Sequence, residues 1–173
     1  SNDSTYAWGY DPSVAPTVTG VNSGNSVNAT TVVGQGQVIT IKSGGSLTVS
    51  KDSSSPSYTL AAAGSANTTL GVLKFTATNE AINLTKIALQ MTGNDAQPTD
   101  LTKITLWDGA TMVGEAIFTT KTAVATLTST VTIPKDSSKI IAVKGNLASI
   151  GASQPGTEGA WVKVDYDGDN SNN

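Results

Sequence analysis

Residues Leu101 to Phe118 alternate between apolar and polar, turn at Asp108-Gly109, and alternate again. Side chains on a β-strand point to opposite faces in turn, so such a run buries one face of an extended segment. Asp-Gly between two alternating runs is a strong short-range signal for a two-residue hairpin. Similar punctuation recurs along most of the chain, which predicts many short antiparallel strands and little helix.

The remaining segments repeat this reading. Val38-Ile39-Thr40-Ile41 and Leu47-Thr48-Val49 are expected strands separated by Ser43-Gly44-Gly45, and residues 51–57 form a turn-rich link. From Leu70 to Thr78, Leu73, Phe75 and Ala77 share one face. From Ile82 to Met91, residues Ile87, Leu89 and Met91 are in register, but Ile82 and Leu84 have the opposite parity. That shift predicts a bulge or an edge crossing near Thr85. Val124–Leu127, Val131–Ile133, Ile140–Lys144 and Ala160–Asp165 complete the strand set, and only Asn146 to Ile150 can hold a helical turn. The pattern predicts an all-β sandwich with Greek-key connections. Residues 37–168 form that module, with 1–36 a connector or the flanking strand of a preceding module and 169–173 the start of a linker.

Composition narrows the chemistry. The chain contains no His, no Cys and no Arg, and its ten cations are all lysines. A net charge of −3 without basic clusters or guanidinium forks argues against nucleic acid as a partner. No apolar run reaches the ~20 residues of a membrane helix. Without Cys there is no thiol nucleophile, disulfide or thiolate metal site. Only 13% of residues are charged, so Ser, Thr, Asn and Gly must coat the surface, a composition more typical of exported proteins than of intracellular ones. Catalysis would have to rest on carboxylates such as Glu80, Asp100, Asp108 and Glu115. Asp108 is better read as a turn residue and Asp100 as a strand-edge or turn residue, and the chain is expected not to be an enzyme.

Ser46-Leu-Thr-Val-Ser50, Leu70-Gly-Val-Leu-Lys-Phe-Thr-Ala-Thr-Asn-Glu80, Leu106-Trp-Asp-Gly109, Ile133-Pro-Lys-Asp136 and Val143-Lys-Gly-Asn-Leu-Ala148 occur in that order. Across roughly residues 37–168 the chain resembles modules of large, Thr/Ser-rich, immunoglobulin-like surface proteins of candidate-phyla bacteria such as the Parcubacteria, often called S-layer-like. The resemblance implies an Ig-like β-sandwich located extracellularly or on the cell surface. It also implies neighbouring modules of the same polypeptide or lattice as partners, and a structural or adhesive role. It brings no catalytic residues.

Two residue sets carry candidate chemistry. Asp165, Asp167 and Asp169 alternate near a Gly, a spacing that can offer several oxygens to one Ca²⁺, although the distal Glu of an EF-hand loop is missing. The competing reading is a solvated acidic tail. Tyr6, Trp8 and Tyr10 would share one face of a strand, while Trp107 and Trp161 have the opposite parity to Leu106 and Val162 and are expected to face outward or to cover a second layer. Outward-facing Trp8, Trp107 or Trp161 could stack sugar rings, making glycans an alternative partner. Otherwise Trp8 caps the edge of the core, and the N-terminal segment with its aromatics packs over Trp107 and Trp161.

Overall fold

The computed structural model describes residues 4–9, 17–27, 35–41 and 44–170. The chain divides into two compact units, Ser1–Gly44 and Gly45–Asn173. In the first, β1 (Ser4–Gly9) pairs antiparallel with β4 (Gln35–Ile41), and β2 (Val18–Thr19) pairs with β3 (Ser26–Val27). Val38–Ile41, which the sequence places at the start of the main module, is thus paired with Ser4–Ala7. The division between units falls later than the change in composition near residue 36.

The second unit contains one antiparallel sheet of eight strands. They are β5 (Ser46–Lys51), β6 (Thr68–Thr78), β7 (Ile82–Met91), β8 (Leu101–Asp108), β9 (Thr111–Ala116), β10 (Thr122–Ile133), β11 (Ser137–Leu147) and β12 (Val164–Tyr166). Their spatial order is β12-β7-β10-β9-β8-β11-β6-β5, so four of the seven connections cross to a non-neighbouring strand. The β8–β9 hairpin closes at Asp108↔Thr111, and Gly109 takes the positive φ of 61° that this tight turn requires.

Alternation decides what is buried. In β6, Leu73, Phe75 and Ala77 face inward, and in β8, Ile104 and Leu106 do so. In β7 the inward set is Leu84, then Ile87, Leu89 and Met91. The parity switch expected near Thr85 is present: Lys86 pairs with Thr126 and Leu84 with Val131, so the partner strand carries extra residues at that point. Residues from β6 through β12 meet in one apolar cluster, with Leu47 and Val49 of β5 packed against it. One shared interior requires the sheet to roll up. Tyr166 of the terminal strand β12 meets Phe75 of β6, the strand next to the other terminal strand β5, edge-on with ring centroids 6.1 Å apart. The result is a nearly closed, barrel-like sheet.

Three local expectations change. Among the described residues the helical turn is a single 3-10 turn at Pro98–Asp100, not at 146–150, where β11 runs on to Leu147. The two short strands expected at 124–133 are one strand, β10. Ala160–Lys163 is irregular and the last strand begins at Val164, because Trp161 and Lys163 are tied laterally to Asn94 and Thr92.

Candidate functional site

The acidic segment starts on β12. Val164 and Tyr166 face the core, which turns Asp165 to the outside. Its carboxylate accepts hydrogen bonds from Lys163 Nζ at 2.7 Å and from the Thr92 hydroxyl. Burial pushes the Asp165 carboxyl up, but the Lys163 and Thr92 hydrogen bonds and the charges of Lys163 and Lys51 outweigh it. The group is held below its ordinary value of 3.8. Asp167 donates its backbone N–H to Ala88 O, and its carboxylate accepts from Asn170 Nδ2 at 3.1 Å. Asp169 lies exposed in the turn that follows. Among the described residues no three acidic side chains converge as a metal-ligand group. Asp165 and Asp167 each accept a side-chain hydrogen bond from a neighbour. Burial and the Asp167 charge together push the Tyr166 phenol above its ordinary value of 10.0, so it stays protonated against Phe75.

The tryptophans occupy three different settings. Trp8 lies in β1 of the first unit, and Tyr10 lies outside the described residues. Trp107 sits on the outer face of β8, half-buried, while its neighbour Leu106 is fully buried. Its indole N–H donates to the Thr105 hydroxyl at 2.9 Å, and the Lys144 ammonium lies 4.4 Å from the ring centroid. A cation over the face is worth ~0.5–1 kcal/mol at an exposed site and occupies the surface a sugar would use. Trp161 is different: it is 58% exposed, and Tyr58, 68% exposed, meets it edge-on at 6.4 Å.

Trp161 owes its position to the backbone. Its N–H donates to Asn94 O, and Lys163 O accepts from Thr92 N, which straps residues 159–163 to the end of β7. Gly93 makes that approach feasible, since a Cβ there would fall 1.6 Å from Trp161 O. Tyr58 is placed by the link after β5. The Ser55 hydroxyl donates to Val72 O and accepts from Val72 N, holding the link on β6. Asp52 accepts from the Ser54 hydroxyl and amide, and these bonds hold its carboxyl below the ordinary value. Together the link, the start of β6 and the strap enclose a groove of about 590 Å³. Tyr58, Leu60 and Trp161 line it with Lys51, Lys163 and Asp165. This is an aromatic groove with charged groups at its margin, the kind of surface that stacks and hydrogen-bonds a polar ring.

The carboxylates weighed for hydrolysis are each engaged separately. Glu80 accepts from Gly45 N, Glu115 pairs with Lys103 at 3.0 Å and Asp108 pairs with Lys139. Asp100 is 5% exposed, and its two oxygens accept the backbone N–H groups of Gln97 and Thr157, each at 2.6 Å. Sequence reasoning missed this clamp because Thr157 lies far along the chain. Tyr58 was also missed. Its signal was an aromatic in a Ser-rich link with no strand alternation around it. Comparison with protein-family models, curated proteins and solved structures yields no match.

Proposed function

We infer that the chain is a non-enzymatic structural or adhesive module of a bacterial cell-surface, S-layer-like protein, a rigid spacer in a tandem array. In this reading its larger unit is an Ig-like β-sandwich with Greek-key connections. The observation that carries the reading is the single apolar interior shared by β6 through β12, drawn together at the Phe75–Tyr166 contact. A sheet whose strands all contribute to one core resists partial opening, which suits a spacer. The hydroxyl-rich outer positions of β5, β6 and β10 keep such a body soluble with few charges. Antibodies raised against the folded chain should label intact source cells. Labelling only after permeabilisation would remove the surface assignment.

One observation favours a second reading, a carbohydrate-binding module: the exposed Trp161 with Tyr58 at the groove. Titrating soluble glycans into the full chain should then change tryptophan fluorescence, and Trp161→Ala should abolish the change. A response that survives Trp161→Ala but vanishes with Trp107→Ala or Trp8→Ala would move the site. Calcium enters either reading through Asp165, Asp167 and Asp169. A melting point higher in Ca²⁺ than in EDTA, and lost when all three become Asn, is its test.

A further inference from the structure

The rolled sheet leaves one side open, and the open side has the features of a strand acceptor. Asp52 N donates to Val72 O, continuing the register in which Lys51 lies opposite Leu73. Hydrogen bonding alternates along an antiparallel pair, so Ser46, Thr48 and Ser50 turn their peptide groups toward β6. Leu47, Val49 and Lys51 therefore aim their N–H and C=O groups the other way. There β5 is the last strand of the sheet, and no hydrogen bond among the described residues reaches those groups. The edge has no Pro and no bulge, two of the usual devices that block strand addition.

Across the gap, β12 pairs with β7 only at Leu89–Met91, with Asp167 extending the contact to Ala88. Between the free edge of β5 and the Leu84–Lys86 stretch of β7 lies a cleft of about 440 Å³. Leu47, Val49, Phe75, Leu84 and Tyr166 form its apolar lining, with Lys86 among them. Lys103, Lys139 and Lys163 each have a carboxylate partner and Lys144 has the Trp107 ring. Lys86 has no ion pair among the described residues.

We propose that this cleft accepts an extended strand from another polypeptide. The strand pairs with the free edge of β5, is apolar at the positions opposite Leu47 and Val49, and carries a carboxylate where it passes Lys86. Each part follows from one feature. A line of unpaired peptide groups is satisfied by another peptide backbone, not by a small apolar ligand. Residues directly opposite each other share a face, so those opposite Leu47 and Val49 enter the cleft. The Lys86 ammonium, at the cleft wall without an ion pair among the described residues, selects an acidic neighbour. The proposal rests on the geometry of the second unit alone and is independent of the surface-protein reading.

The test uses the full chain, ¹⁵N-labelled, with the synthetic peptide acetyl-Thr-Val-Thr-Val-Thr-Glu-Thr-amide and its counterpart with Lys in place of Glu. The amides of Leu47, Val49 and Lys51 should exchange freely in the protein alone and become protected on adding the Glu peptide. The Glu peptide should bind ~3-fold more tightly than the Lys peptide, the scale of one partly exposed ion pair. Lys86→Glu, a surface change that leaves the core untouched, should invert that order. Absence of protection with either peptide overturns the proposal. So does slow exchange at these amides in the protein alone, at any dilution, which would mean the edge is already covered by this chain or by a second copy.

Discussion

Asp100 ties its own 3-10 turn to two later stretches of the chain, at Ala148 and Thr157. Its side chain accepts N–H bonds from Gln97 and Thr157, and its backbone O accepts from Ala148 N. Removing the carboxylate leaves two donors in a largely dry site. Asp100→Ala is expected to lower unfolding free energy by about 2–4 kcal/mol, read from urea denaturation, with Asp100→Asn between it and wild type. A wild-type midpoint for the Ala variant would mean that water replaces the clamp. Asp165 makes a different prediction. Its folded pKa lies below its unfolded value near 3.8, so the stability it contributes is present above 3.8 and is lost as pH falls through the lower, folded value. The gap in urea midpoint between wild type and Asp165→Asn should hold steady well above pH 3.8 and close as pH falls below it, through the lower folded value. A gap that persists at the acid end would show that Asp165 acts through packing and not through its charge. Neither role was legible in the sequence. Acidic spacing is silent on both of Asp165's side-chain partners, Lys163 two residues away and Thr92 on the neighbouring segment.

At the scale of elements the sequence is far more transparent. The alternation of Leu73, Phe75 and Ala77 is enough to assign the inner face of β6, and Asp108-Gly109 is enough to place the β8–β9 turn. Even the register irregularity opposite Thr85 is visible in the parity of Leu84 against Ile87. What alternation cannot reveal is a segment held by its backbone. Ala160–Lys163 reads as a strand, yet it is a strap fixed by Trp161 N–Asn94 O and Thr92 N–Lys163 O, both 3.0 Å. The residue that permits it, Gly93, carries no pattern at all. Gly93→Ala forces a methyl against the Trp161 carbonyl and within 2.8 Å of Lys163 N, so the strap must lift. The expected cost is about 1–3 kcal/mol of stability, with faster hydrogen exchange at the Trp161 and Thr92 amides. Unchanged exchange at both would mean that the strap is held from elsewhere.

Strand order belongs to the whole molecule and was not readable from local pattern. Period-2 alternation says which face of a strand is buried but not which strand lies beside it, and β6 with β11 or β7 with β10 are pairings across long intervening segments. The division of the chain was equally hidden, because Val38–Ile41 has the same apolar alternation as the strands that follow it. Its partner, however, is β1. The second unit has large, fully buried side chains of its own, from Phe75 to Val143. A unit that holds its own core should fold without the other. Residues 45–173 alone are therefore expected to melt in a single cooperative transition, with the near-ultraviolet circular dichroism of a packed interior. The Phe75→Ala form of the same piece should lose about 3–5 kcal/mol, since Phe75 is both core and the ring against which Tyr166 of β12 packs. A broad, non-cooperative melt of residues 45–173 would mean that the eight-stranded sheet depends on residues 1–44, and the two units would then have to be treated as one folding body.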